Sequence, residues 1–187
     1  MADAPPTSYC QAVRRGLPAP HGTYHDTQYG FPLDTDDALF GRLVLEIFQA
    51  GLSWLTILRT AEAFERAFDG FDVAKVAAYG DGDVERLLGD AGIVRNRAKI
   101  AAAIENARRV RGLQAEHGSL RAWLAAHHPL PLAAWQKLFR RTFVFTGGEI
   151  TREFLVSTGW LPGAHDPDCE AHARAVAAGA PWARPAP

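Results

Sequence analysis

Leu87-Leu88-Gly89-Asp90-Ala91-Gly92-Ile93-Val94-Arg95-Asn96-Arg97-Ala98-Lys99-Ile100 is the stretch on which the fold reading turns. Asp81 or Asp83 opens a short helical pattern that runs through Leu88 and reaches a turn at Gly89 to Gly92. A longer helix then runs over roughly 95–116, with Ile100, Ala103, Ile104, Ala107 and Val110 on one face. Backbone N–H groups at the start of that helix, reinforced by its dipole, suit a phosphate, and Arg95, Arg97 and Lys99 add positive charge. An ordinary helical turn with a solvated basic face fits the same residues, and the pattern alone does not separate the two.

Outward from this turn the periodicity stays helical. Upstream, Asp34 or Thr35 caps a helix carrying Leu39, Leu43 and Ile47, which Gly51 ends. Ser53 caps the next, with Leu55, Ile57, Leu58, Ala61, Phe64 and Phe68 on its buried side and Gly70 as its stop, and Asp72 opens a short one to Ala78. Downstream, helices are expected over 119–127, 131–141, 148–157 and 167–178. The Pro- and Gly-rich opening to residue 33 reads as irregular, Phe143 to Phe145 has the character of a brief strand, and the tail over 180–187 reads as loose. The fold class is therefore all-α, in one helical domain over 1–187.

Composition narrows the function classes. The 187 residues carry a net charge of −1, which argues against a wholly basic nucleic-acid-binding surface but leaves room for a local patch such as Arg108, Arg109 and Arg111 or Lys137, Arg140 and Arg141. No apolar run reaches spanning length, so no membrane association is expected. The opening MADAPPTSYC lacks the basic and apolar regions of a signal peptide, and a cytoplasmic location is the expectation.

The two cysteines are far apart, and each has a histidine nearby: Cys10 with His25, and Cys169 with His165. Two thiolates and two imidazoles would make a closed tetrahedral zinc site of the structural kind, tying the two ends of the chain together. The long gap matches no local zinc-finger spacing, so the spacing alone favours one buried cysteine, one exposed cysteine and unrelated surface histidines. His172 is an alternative ligand. A second informative segment is Leu45-Glu46-Ile47-Phe48-Gln49-Ala50-Gly51-Leu52-Ser53-Trp54, where a carboxylate sits among apolar neighbours. Glu46 either pairs with Arg42 on the helix surface or is buried for a purpose. Trp54 reads as core or as a stacking platform, and Tyr24 and Tyr29 flank His25.

Taken in order, Tyr24-His25-Asp26 with Tyr29-Gly30, Glu46 with Gln49 to Trp54, Asp90 to Ile100, and His165-x-x-x-Cys169 resemble the DNA-3-methyladenine glycosylase I family over about Cys10 to Cys169. The resemblance implies an all-helical helix-hairpin-helix glycosylase with the hairpin at about 84–100 and a structural zinc on Cys10, His25, His165 and Cys169. It implies hydrolysis of the N-glycosidic bond of 3-methyladenine in alkylated double-stranded DNA by a monomer. It places Glu46 as the key polar and catalytic residue, Tyr24, Tyr29, Gln49 and Trp54 around the base, and Gly92, Arg95, Arg97 and Lys99 on DNA. The implied mechanism uses neither a nucleotide cofactor nor a covalent lysine.

Several positions depart from the family pattern. Ala12 stands where a tryptophan is common, Gln28-Tyr29 where Glu-Trp is frequent, His21 where a tyrosine is sometimes found, and Gly163-Ala164 where Asn-Asp often precedes the zinc histidine. Thr146 to Arg152 replaces a Gly-Pro-Thr-like stretch followed by a tyrosine-containing helix. Two alternatives follow: the same reaction on another alkylated purine such as 3-methylguanine, or a DNA-binding protein that has lost hydrolysis.

Overall fold

Apolar positions at helical spacing, punctuated by Ser, Thr, Asp and Asn caps, build an all-helical protein. The computed structural model describes residues 4–184, and no strand forms among them. The chain divides into two compact units, one made of the chain up to Pro32 together with the chain from Leu155 onward, the other of Leu33–Phe154.

The first unit opens with α1 (Tyr9–Arg14) and α2 (His21–Thr27), both inside the segment expected to be irregular. Ser8 caps α1 by accepting a hydrogen bond from the Gln11 N–H. Pro18 and Pro20 made this region look like loop, yet proline before the first turn of a helix removes only an N–H that would lack an intrahelical partner.

In the second unit, Thr35 accepts from the Ala38 N–H and starts α3 (Asp36–Gln49). This helix buries Leu39, Phe40, Leu43, Val44, Ile47 and Phe48 on nearly every side, which makes it the axis of the unit. Ser53 caps α4 (Trp54–Ala67), and Phe48, Phe64 and Phe68 pack ring to ring between the two helices. A 3-10 turn at Asp69–Phe71 leads to α5 (Val73–Ala77), capped by Asp72, and then to α6 (Asp81–Gly89).

The long helix α7 (Arg97–His117) starts two residues later than expected because Asn96 takes the cap by accepting from the Lys99 N–H. Its small buried residues Ala102, Ala103 and Ala107 let α5 approach closely. Beyond Gly118 follow α8 (Leu120–His127), α9 (Leu132–Thr142) and α10 (Gly148–Ser157). Phe143 to Phe145 forms no strand. Phe143 instead joins Trp123, Trp135, Phe139 and Phe154 in an aromatic cluster.

Returning to the first unit, α11 (Glu170–Ala177) falls within the helix expected over 167–178. The tail expected to be loose over 180–187 is packed as far as Trp182: Pro181 is buried, the Trp182 N–H donates to the Gly159 carbonyl, and the indole meets His172. Residues 185–187 lie outside the described residues.

Candidate functional site

The second unit contains a cavity of about 440 Å³ lined by Glu46, Gln49, Ala50 and Gly51 on one side and by Gly147, Gly148, Glu149, Ile150 and Glu153 on the other. That volume lies within the range of small-molecule sites. Glu46 and Gln49 come from the last turn of α3. Ala50 (φ −50°, ψ 117°) and Gly51 (φ +84°) then form the centre of a type II turn, closed by the Leu52 N–H donating to the Gln49 carbonyl at 2.7 Å. Glycine is needed at position 51 because the turn demands a positive φ there. The Gln49 side chain braces the same turn by donating to the Leu52 carbonyl at 2.8 Å.

Glu46 is only 4% exposed and Arg42 only 7%, so both side chains lie in the interior rather than on the solvent face of the helix. A carboxylate buried at a cavity wall carries the desolvation cost that a surface glutamate avoids. Glu149 and Glu153, which also line the cavity, stand one turn apart on α10, and the Arg152 guanidinium reaches both, Glu149 at 3.5 Å and Glu153 more closely. The lining thus includes three carboxylates, two of them within reach of the Arg152 guanidinium.

Of the residues expected around a base, the structure brings Glu46 and Gln49 together in this cavity. Trp54 is half-buried at the first position of α4 and is not among the lining residues. Tyr24 is buried and Tyr29 half-buried in the first unit, where both rings pack against Tyr9, whose hydroxyl lies 2.7 Å from His21 Nδ1.

The cationic residues separate into three groups. Arg95 is exposed, and Arg97 is exposed and paired with Glu85 at 2.7 Å. The Gly92 N–H is occupied by the Asp90 carboxylate at 2.7 Å. Lys99 corrects the expectation of a phosphate contact: it is 6% exposed, with Nζ donating to the carbonyls of Phe48 at 3.0 Å and Ala50 at 2.6 Å. Burial pushes its pKa below the ordinary lysine value. Arg108 and Arg109 stay at the surface but also brace backbone, Arg108 donating to the carbonyls of Ala77 and Tyr79, and Arg109 to that of Thr142.

In the first unit, the ligand atoms of Cys10, His25, His165 and Cys169 all lie within 4.8 Å of one another. His25 Nε2 is 3.2 Å from Cys10 Sγ, 3.2 Å from His165 Nδ1 and 3.8 Å from Cys169 Sγ, and His165 Nδ1 is 3.7 Å from Cys10 Sγ. A tetrahedral zinc with ordinary bond lengths requires N···N edges of about 3.3 Å and N···S edges of about 3.6 Å. The cluster therefore already has nearly the dimensions of such a site.

Its outer contacts fit as well. The ring nitrogens facing away are held by carboxylate or carbonyl: His25 Nδ1 by Asp26 at 2.7 Å and His165 Nε2 by the Tyr29 carbonyl at 2.7 Å. The Asp166 N–H donates to Cys10 Sγ at 3.2 Å, as backbone amides do to thiolates. In the protein alone, burial and neighbouring Cys169 push the Cys10 thiol up to about 11, a cost that a bound cation would reverse. His172 lies outside the cluster, against Trp182.

Against this geometry the comparisons are decisive. The methyladenine glycosylase family model matches residues 19–130. The chain belongs to the methyladenine glycosylase family. DNA-3-methyladenine glycosylase 1 of Escherichia coli (strain K12) is 51% identical over 85 residues, an alignment that spans 46% of this chain and 46% of that enzyme. DNA-3-methyladenine glycosylase of Haemophilus influenzae is 31% identical over 165 residues, covering 78% of this chain and 89% of the relative.

Among solved structures, a variant of 3-methyladenine DNA glycosylase I in complex with 3-methyladenine superposes with a TM-score of 0.76 at 31% identity, covering 84% of this chain and 95% of that one. The Staphylococcus aureus enzyme gives 0.74 at 31% identity, covering 84% and 94%.

The span matched to the methyladenine glycosylases holds His25, Glu46, Gln49, Trp54 and the turn between α6 and α7. It leaves out Cys10, His165, Cys169, Glu149 and Glu153. Sequence reasoning missed Glu153 as a wall residue, although its place in a helix beginning at 148, one turn after Glu149, was the available signal. It also missed Asn106, a polar residue inside the apolar face of α7. Asn106 is fully buried and clamps Val144, accepting from its N–H at 2.8 Å and donating to its carbonyl at 3.0 Å.

Proposed function

We propose that this chain is a monofunctional DNA glycosylase that hydrolyses the N-glycosidic bond of 3-methyladenine in alkylated double-stranded DNA, leaving an abasic site. The observation that supports this most strongly is a buried glutamate, Glu46, in the wall of a cavity that sits within a methyladenine glycosylase chain. A base inside a duplex is out of reach, so the nucleotide must be turned out of the stack into a pocket. The N3-alkylated adenine nucleoside is cationic and its base departs readily, taking the electron pair of the glycosidic bond and leaving neutral. What remains for the protein is to hold the base and favour the sugar cation until water adds.

Glu46 accepts a hydrogen bond from the exocyclic amine, and its negative charge stabilises the oxocarbenium-like sugar. Gln49 supplies a second polar contact. Trp54, at the start of the helix that follows the Gln49–Leu52 turn, is assigned to the cationic ring, its face contributing about 1 kcal/mol or more when desolvated. We read α6, the turn and α7 as a helix-hairpin-helix unit whose exposed Arg95 and Arg97, with the Gly92 turn, meet DNA phosphates. Zinc is the metal whose tetrahedral preference the Cys10, His25, His165 and Cys169 set fits. With four protein ligands it would brace the fold and leave no position for water. A cytoplasmic monomer is the simplest form of such an enzyme. No helix among the described residues is long and apolar enough to cross a membrane.

One observation favours a second substrate. Glu149 and Glu153 add carboxylates to the cavity, and an alkylated guanine such as 3-methylguanine presents ring and amine N–H donors side by side where adenine presents an amine beside an acceptor. Chromatography of bases released from methylated DNA tests both readings. Release of 3-methyladenine, reduced at least tenfold by Glu46→Gln in a protein of unchanged thermal stability, is the expected result. Predominant release of 3-methylguanine would favour the second substrate. No release by folded protein that binds DNA would overturn both.

A further inference from the structure

Lys99 is a buried cation that neither the base cavity nor the DNA face has yet accounted for. Its ammonium crosses from the first turn of α7 to the C-terminal end of α3, where it takes the Phe48 carbonyl at 3.0 Å and the Ala50 carbonyl at 2.6 Å. Phe48 belongs to the last turn of α3, whose carbonyls have no intrahelical partner and carry the negative end of the dipole, so a cation is favoured there. Ala50 matters more. Type I and type II turns differ by a flip of their central peptide, here the one between Ala50 and Gly51. A hydrogen bond on the Ala50 carbonyl therefore selects which way that peptide faces. Because a trans peptide points its C=O and N–H in opposite directions, holding the carbonyl on Lys99 turns the Gly51 N–H away from Lys99. Glu46, Gln49, Ala50 and Gly51, nearly half the cavity lining, hang from this one helix end and turn.

We infer that Lys99 is a positioning residue, which locks the Gln49–Leu52 turn and so sets the near wall of the base cavity from the first turn of the helix that follows the hairpin. The inference rests on the glycosylase reading for its effect on catalysis, but not for its effect on the turn. Arg95 and Arg97, four and two residues before Lys99, lie exposed on the same short segment. Contact with DNA and the shape of the cavity rim are thereby tied through one side chain.

The test compares wild type with Lys99→Met, which keeps length and removes the donor, and with Lys99→Gln, which keeps one donor group and serves if the methionine variant does not fold. Hydrogen–deuterium exchange of the peptide spanning 48–53 should rise in both variants. Single-turnover release of 3-methyladenine should slow at least tenfold in Lys99→Met and less in Lys99→Gln, while affinity for undamaged duplex stays within twofold of wild type. Unchanged exchange in 48–53 would overturn the inference. So would a slower reaction that tracks only weaker duplex binding, with the slope of log affinity against log salt reduced by about one, since that is the behaviour of a phosphate contact. If wild type releases no base, the glycosylase reading falls, and the exchange measurement still decides whether Lys99 holds the turn.

Discussion

A single amide supports the far side of the cavity. Asn106 is wholly buried on α7, and both ends of its side chain bond to the backbone of Val144, three residues before Gly147 begins the lining on that side. Replacing it with leucine would keep the volume and leave a partly buried N–H and carbonyl of Val144 without their partner. The expected loss is about 1–3 kcal/mol of stability, read as a lower urea midpoint. An unchanged midpoint would mean that the loop finds other partners. Glu46 and Lys99 pose the same question with charge in place of an amide, and in each case a polar atom is buried where a methyl group would be cheaper. Such residues show in a sequence as polar breaks in an apolar stripe. Glu46 was legible that way. Lys99 was not, because a lysine beside Arg95 and Arg97 looks like part of a basic face until the side chain is seen turned inward.

The elements themselves follow from local rules. Thr35, Ser53, Asp72, Asn96 and Ser119 each accept from a backbone N–H in the first turn of the helix they open, and all five helices start within two residues of the expected position. The 21-residue helix α7 begins at exposed Arg97, with exposed Arg95 just before its cap. Arg97 pairs with Glu85 at the surface, an interaction weak enough to yield to a phosphate. Changing both arginines to alanine should weaken binding to undamaged duplex and lower the salt slope by about two, since each neutralised phosphate contributes about 0.9. A slope identical to wild type in a titration from low to moderate salt would remove the hairpin from the DNA face. What local rules did not reveal is α1 and α2. Each is short, their segment is rich in proline and glycine, and no long apolar stripe advertises them.

At the scale of the whole molecule, the Cys/His cluster gathers four side chains from the two ends of the chain: Cys10 and His25 from one, His165 and Cys169 from the other. Elemental analysis should find one zinc per chain. Removing it with a chelator should lower the melting temperature and raise hydrogen exchange in 9–32 and 155–184 more than in 33–154, because the cluster lies wholly within the first unit. Cys169→Ser should act in the same direction, and a protein whose stability ignores both treatments would have no structural metal. The all-helical class, most helix starts, the family and the identity of the four cluster residues are legible in the sequence, because caps, periodicity and ordered motifs are written in short stretches of chain. The folded molecule adds that the four ligand atoms converge at zinc-like spacing, that Glu149 and Glu153 line the same cavity as Glu46, and that Lys99 faces the end of α3 rather than solvent. Those are facts about which side chains meet over long separations in the chain, and that is fixed by packing and burial of the whole rather than by any short stretch.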